Sequence, residues 1–175
     1  MMRYIVSIAV VVTCTVLSLI SFPAPAQPDS AIERDTLARE LAGAWLPLES
    51  GLVLSSVQGT PLSAKYELED GTLQLSVYTL KPDGTFSEVI VDFSAGMIAR
   101  VDTITDSGDL SAAQSQKAAM AGAKRSLDAV TTDAVKASPG YRAVSAMPGL
   151  NGGRPMAEVI PLRGNDWKIL SAPLD

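Results

Sequence analysis

Between Pro61 and Val101 the chain reads PLSAKYELEDGTLQLSVYTLKPDGTFSEVIVDFSAGMIARV, short alternating segments separated by turn residues. Glu69-Asp70-Gly71 sets an Asp-Gly pair between two of these segments, a hairpin signal because the favoured two-residue turns need positive φ. Leu73, Leu75, Val77 and Thr79 alternate with Gln74, Ser76, Tyr78 and Leu80, so a strand would carry one set on each face. Lys81-Pro82-Asp83-Gly84 turns next, proline presetting one dihedral and glycine accepting positive φ. Phe86, Glu88, Ile90 and Asp92 alternate with Ser87, Val89, Val91 and Phe93 in a third strand, and Ser94-Ala95-Gly96 leads into a fourth over Met97–Val101. A meander of this kind is stable when another element covers its apolar face, and a helix is the expected cover.

Upstream, Ser30 and Glu33 have the spacing of a capping box that opens a helix. Ile32, Leu37, Leu41 and Trp45 follow at near-helical spacing, with Trp45 expected as a core anchor at the helix end and Pro47 as the stop. Gly51-Leu52-Val53-Leu54 to Gly59 is expected to be a connector with strand character. The aspartates of Asp102–Asp109 (DTITDSGD) lack the steps and late glutamate of an EF-hand and are expected to form a solvated loop that caps the next helix. Ser111 with Gln114 makes a second capping box, opening an alanine-rich helical region towards Ala137. Ser126 is placed to cap a second helix there, so one bent helix and two consecutive helices both remain open. Ser138-Pro139-Gly140 ends the region, and strands over Tyr141–Met147, Met156–Leu162 and Trp167–Ala172 follow, separated by Asn151-Gly152-Gly153 and Arg163–Asp166. The expected class is α+β: a helix followed by an antiparallel β-meander, the plan repeated twice, with helices packed on the sheet. The units are placed at 27–109 and 110–175, in one compact body.

Arg3 precedes an apolar run from Tyr4 to Phe22, and Pro23-Ala24-Pro25-Ala26 follows. A basic start, an apolar centre and an Ala-x-Ala site describe a secretory signal peptide over residues 1–26, cleaved after Ala26, with a periplasmic or secreted product. An uncleaved anchor is the rival, and is the one route by which the chain would meet a membrane. Cys14 lies inside the apolar run, whereas a lipidated cysteine should close it. It is also the sole cysteine, and histidine is absent from the 175 residues. The chain beyond Ala26 therefore lacks thiol–imidazole dyads, Ser-His-Asp triads and the usual zinc ligands. With 19 acidic against 14 basic residues, the latter scattered, nucleic acid is not an expected partner.

Val91-Asp92, Gly96 and the run Met97-Ile98-Ala99 resemble the V-D-x-x-T-G-x-V-L ending of the PepSY domain, with Ala95 where the family usually has threonine. The preceding strands and the PDGT turn are similar to that domain too. In the second half, SLDAVTTDAVKASPGYRAVSAM resembles its helix-Pro-Gly-strand opening and GRPMAEVIPLRGNDWKIL its central hairpin, without the Val-Asp ending. PepSY-like domains occur in propeptides of secreted metallopeptidases and as free exported proteins. The resemblance thus implies a non-enzymatic binding module that modulates or inhibits an exported protein, peptide or peptidase, with no cofactor and no metal. Tyr66, Tyr78 and Phe86 are the candidate partner contacts if they face outward, the alternative being cross-strand packing. Two other readings stand beside this one. A hydrolase would work through carboxylates such as Glu67, Glu69, Glu88 or Asp92, although no nucleophile elbow or phosphate loop accompanies them and no catalytic residue is assigned. A small-molecule or lipid carrier would hold its ligand between helix and sheet.

Overall fold

The computed structural model describes residues 31–175; the expected signal peptide with Cys14, and the Ser30 half of the first capping box, lie outside the described residues. Helices α1 (Ala31–Leu41) and α2 (Leu48–Ser55) precede strands β1 (Thr60–Glu69), β2 (Thr72–Leu80), β3 (Phe86–Asp92) and β4 (Met97–Thr103). Helices α3 (Ser107–Met120) and α4 (Leu127–Lys136) then precede β5 (Arg142–Asn151), β6 (Arg154–Arg163), β7 (Asp166–Trp167) and β8 (Leu170–Pro173). The chain is α+β, as its patterning predicts.

All eight strands belong to one antiparallel sheet in the order β4-β3-β2-β1-β5-β6-β7, and β8 pairs with β6 beside β7. The first strands of the two halves meet at the centre, where Ala64 lies opposite Ala146 and Lys65 opposite Ser145. The sheet therefore runs unbroken across the expected boundary at 109/110, which itself falls inside α3.

Several elements depart from expectation for local reasons. α1 stops at Leu41, and the amides of Ala42, Gly43 and Ala44 reach back three residues to close tighter turns before Pro47. Leu37 and Leu41 are buried, but Ile32 is 79 % and Trp45 62 % exposed, so Trp45 is not a core anchor. The expected connector after Pro47 is α2, a helix that buries Leu48, Gly51, Leu52 and Ser55. That is a period of three and four, hidden within a leucine–valine run that reads as a strand. Pro47 begins this helix, where its missing N–H has no consequence. α3 starts four residues before Ser111: the Asp106 carboxylate accepts from the amides of Gly108 (2.8 Å) and Asp109 (3.2 Å), and Ser111 lies inside the helix. The aspartate-rich loop thus caps a helix, through Asp106. α3 and α4 are separate, and the link between them is held by the Leu174 carbonyl, which accepts from Lys124 N (2.6 Å) and Arg125 N (2.9 Å). Leu174 is itself wholly buried, and its amide donates to the Pro155 carbonyl.

Strand alternation assigns Ala64, Tyr66, Leu75, Val77, Val89, Val91, Ala146, Ala157 and Val159 to one face of the sheet. They join one core with Leu37 and Leu41 of α1, Leu48 and Leu52 of α2, and Leu127, Val130 and Ala134 of α4. Covering these side chains removes a continuous apolar surface from water, at about 25 cal/mol per Å². α3 lies on the other face. There Leu62, Phe86, Ile104 and Ala113 form a second, smaller core, and the Ser63 hydroxyl donates to Gln116 Oε1 at 2.9 Å in a buried pair.

Gly59, between α2 and β1, has φ +156°, and a Cβ there would lie 2.4 Å from the Leu80 carbonyl oxygen. Backbone cannot yield as a flexible side chain would, so Gly59→Ala should destabilise the fold by about 1–3 kcal/mol. Urea unfolding would show this as a lower midpoint with an unchanged slope.

Candidate functional site

The second face of the sheet is where the structure gathers polar chemistry. Alternation puts Ser63, Lys65 and Glu67 of β1, Gln74, Ser76 and Tyr78 of β2, and Glu88 and Ile90 of β3 on this face. Ser145 and Met147 of β5 and Glu158 of β6 continue it beyond the central β1–β5 pair. α3 roofs one part, above Ser63 and Phe86.

Away from α3 the side chains interlock. Lys65 and Glu67, two residues apart and therefore on one face, form an ion pair with side chains 27 % and 24 % exposed. Ser76 donates to Glu67 Oε1 at 2.7 Å and accepts from Gln74 Nε2 at 2.9 Å. Glu88 lies within reach of the same Ser76 hydroxyl. Its carboxyl is nevertheless held above the ordinary glutamate range, chiefly because half-burial disfavours the charged form, with Glu67 adding to the effect and Ser76 opposing it. Burial pushes Glu158 up as well. Asp109 of α3 accepts a hydrogen bond from Tyr78, whose phenol is pushed well above its usual value by burial first and by Asp109 second.

Of the expected contact residues, Tyr66 and Phe86 are corrected. Tyr66 is 3 % exposed on the helix-covered face; its hydroxyl donates to the Leu46 carbonyl at 2.6 Å and its ring meets Phe93 edge-on at 5.9 Å. Burial, with a smaller push from Glu49 and against the pull of Arg142, raises its phenol to about 12. Phe86 is 7 % exposed beneath α3, with the Lys117 ammonium 5.9 Å from its ring centre. Both are packing residues, because a helix lies over each face where they emerge. Tyr78 is half-buried at the α3 margin.

The candidate carboxylates separate. Glu67 and Glu88 converge on Ser76, whereas Glu69 is exposed at the hairpin end. Asp92 accepts from the amides of Ser94 (2.8 Å) and Ala95 (2.9 Å), an Asx turn that shapes the β3–β4 connection. Among the described residues no group of three or more Asp, Glu or Cys is placed to hold a metal ion. Between the first face and its helices, where a carrier would need a cavity, Leu37, Leu48, Leu52, Leu75, Val77 and Val89 are all at most 2 % exposed. Ser145, Met147 and Glu158 had no signal in the sequence as part of this face, since only the long-range β1–β5 pairing sets them beside Lys65.

The sign of the pH effect follows from the raised carboxyls. Their folded values exceed the unfolded ones, so their contribution to stability is fully present below the ordinary glutamate range and is lost as pH rises through the raised values. Glu88→Gln and Glu158→Gln should therefore each raise the thermal midpoint at neutral pH, and that gain should close once the pH falls below about 4. Differential scanning calorimetry at the two pH values reads both effects. Comparison with protein-family models, with curated proteins and with solved structures finds no match for this chain.

Proposed function

We propose that this chain is an exported, non-enzymatic binding module of PepSY-like kind, whose acidic sheet face receives a basic segment of an extracytoplasmic protein and so modulates or inhibits that partner. The observation that carries this reading is the polar character of the second face around α3. Lys65, Glu67, Glu88, Met147 and Glu158 are only part-exposed there, gathering three carboxylates and one ammonium on one side of the sheet. Burial holds the carboxyls of Glu88 and Glu158 above the ordinary glutamate range. A cationic partner would restore to them the favourable electrostatics that water no longer supplies. Methionine beside carboxylates adds adaptable apolar contact at the centre of such a surface.

The same geometry argues against hydrolysis. Ser76 is engaged by Glu67, and the neighbouring strand amides pair across β1, β2 and β3. Donors for a developing oxyanion would have to come from elsewhere. Export rests on the Arg3-led apolar run and its Ala-x-Ala site. The regulatory role rests on the PepSY resemblance of Val91-Asp92 and Gly96 with the strands before them.

The test is affinity capture from an extracytoplasmic extract, with the wild type and a Glu88→Lys/Glu158→Lys variant shown by thermal unfolding to be folded. A protein held by the wild type should be held at least about tenfold less well by the charge-reversed face. A partner retained equally by both, or none retained by either, would overturn the proposal.

A further inference from the structure

On the opposite side of the molecule, among the helices, a groove of about 410 Å³ runs between α2, the α1–α2 connection, the β3–β4 turn and α4, lined by Trp45, Glu49, Ser50, Val53, Gly96 and Thr132. Trp45 is held there without being buried. Its indole N–H donates to the Ser94 carbonyl at 2.6 Å, and the ring lies against Gly96, where a Cβ would come within 3.1 Å of it. The rest of the indole remains open, leaving the side chain 62 % exposed. Val53, 57 % exposed, borders the groove on α2. An aromatic ring fixed in orientation while facing solvent is a ready platform for a flat group.

The groove is also lined by a carboxylate, that of Glu49. Glu49 Oε2 is buried and has no hydrogen-bond donor. Arg142 and Glu49 both lie near Tyr66, yet the two terminal nitrogens of Arg142 donate to the carbonyls of Leu41 (2.8 Å) and Leu46 (3.1 Å), and the Tyr66 hydroxyl donates to Leu46 as well. A buried carboxylate oxygen without a donor is among the more costly features a fold can keep, and such groups call for an explanation.

We infer that this groove is a docking site for an arginine side chain of a partner polypeptide. Charge complementarity and shape select that occupant together. The guanidinium is planar, so it stacks on the exposed indole, and its fork of N–H groups donates to the Glu49 carboxylate from the groove side. The methylenes of the same side chain lie along Val53 and Leu54. A lysine ammonium offers neither the flat face nor the fork, and a neutral residue leaves the carboxylate unanswered. The site is distinct from the acidic sheet face and stands whether or not that face binds a partner.

The test is a titration of the ¹⁵N-labelled protein with the peptide acetyl-Ala-Arg-Ala-amide, followed by NMR at the indole N–H of Trp45 and the amides of Ser50 and Val53. Saturable shifts at these positions are expected, with citrulline in place of arginine giving none. Glu49→Gln and Trp45→Leu should each weaken binding at least about tenfold, and Glu88→Lys/Glu158→Lys should leave it unchanged. Because Glu49→Gln preserves shape, its spectrum also reports whether the fold is intact. Equal affinity after Glu49→Gln, shifts confined to the acidic sheet face, or no saturable shift at millimolar peptide would each overturn the assignment.

Discussion

Two residue pairs at the middle of the sheet, Ala64 opposite Ala146 and Lys65 opposite Ser145, join everything built before α3 to everything built after it. The small side chains matter here. Ala64 and Ala146 are 1 % and 0 % exposed, and at the seam of the two halves they allow the helices of both to descend onto one continuous core. Larger residues at that seam would push α2 and α4 away from the sheet and open the centre of the molecule. On the reverse side of the same seam stand Lys65 and Ser145, so one short pairing places alanines under the helices and polar groups on the other face.

The consequence is a sheet with two unlike surfaces. Three helices, α1, α2 and α4, close one of them over leucine, valine and alanine. Among the described residues the other has α3 alone, and there the Ser63–Gln116 pair and the Phe86 cluster give way to interlocked charges within a few residues. The sheet edge at β4 is exposed and carries an Arg100–Asp102 ion pair. Charged edges of this kind discourage unwanted strand addition, which favours the face, rather than the edge, as the surface offered to a partner.

Much of the first half could be read from residue order alone. The alternation of Leu73–Leu80 and Phe86–Phe93, with Asp-Gly and Pro-Asp-Gly between strands, is local information and specifies β1 to β4 closely. Elsewhere the decisive physics is not local. The Leu52-Val53-Leu54 run has strand-like composition but sits on a helix, because its burial at Leu48, Gly51, Leu52 and Ser55 is decided by contact with the sheet. Ser111 and Gln114 have the spacing of a cap, yet Asp106 begins the helix earlier. Trp45 fits an apolar stripe until the helix stops at Leu41 and turns it to the surface. For the candidate site, the strands offered Glu67, Glu69, Glu88 and Asp92 as carboxylates, but alternation could not say that α3 would cover Phe86, nor that Met147 and Glu158 would lie alongside.

The link between α3 and α4 carries the chain from one face of the sheet to the other, and the carbonyl that satisfies it belongs to Leu174. The bend therefore emerges from the ribosome long before the group that holds it. Until β8 has paired with β6, the amides of Lys124 and Arg125 have only water to bond, and α4 has no fixed point from which to pack. The crossing between faces is in this sense a late event, timed by β8 and not by the helices it separates. A nascent chain halted before that strand would carry its β1–β4 meander with one half of its helical cover still unanchored.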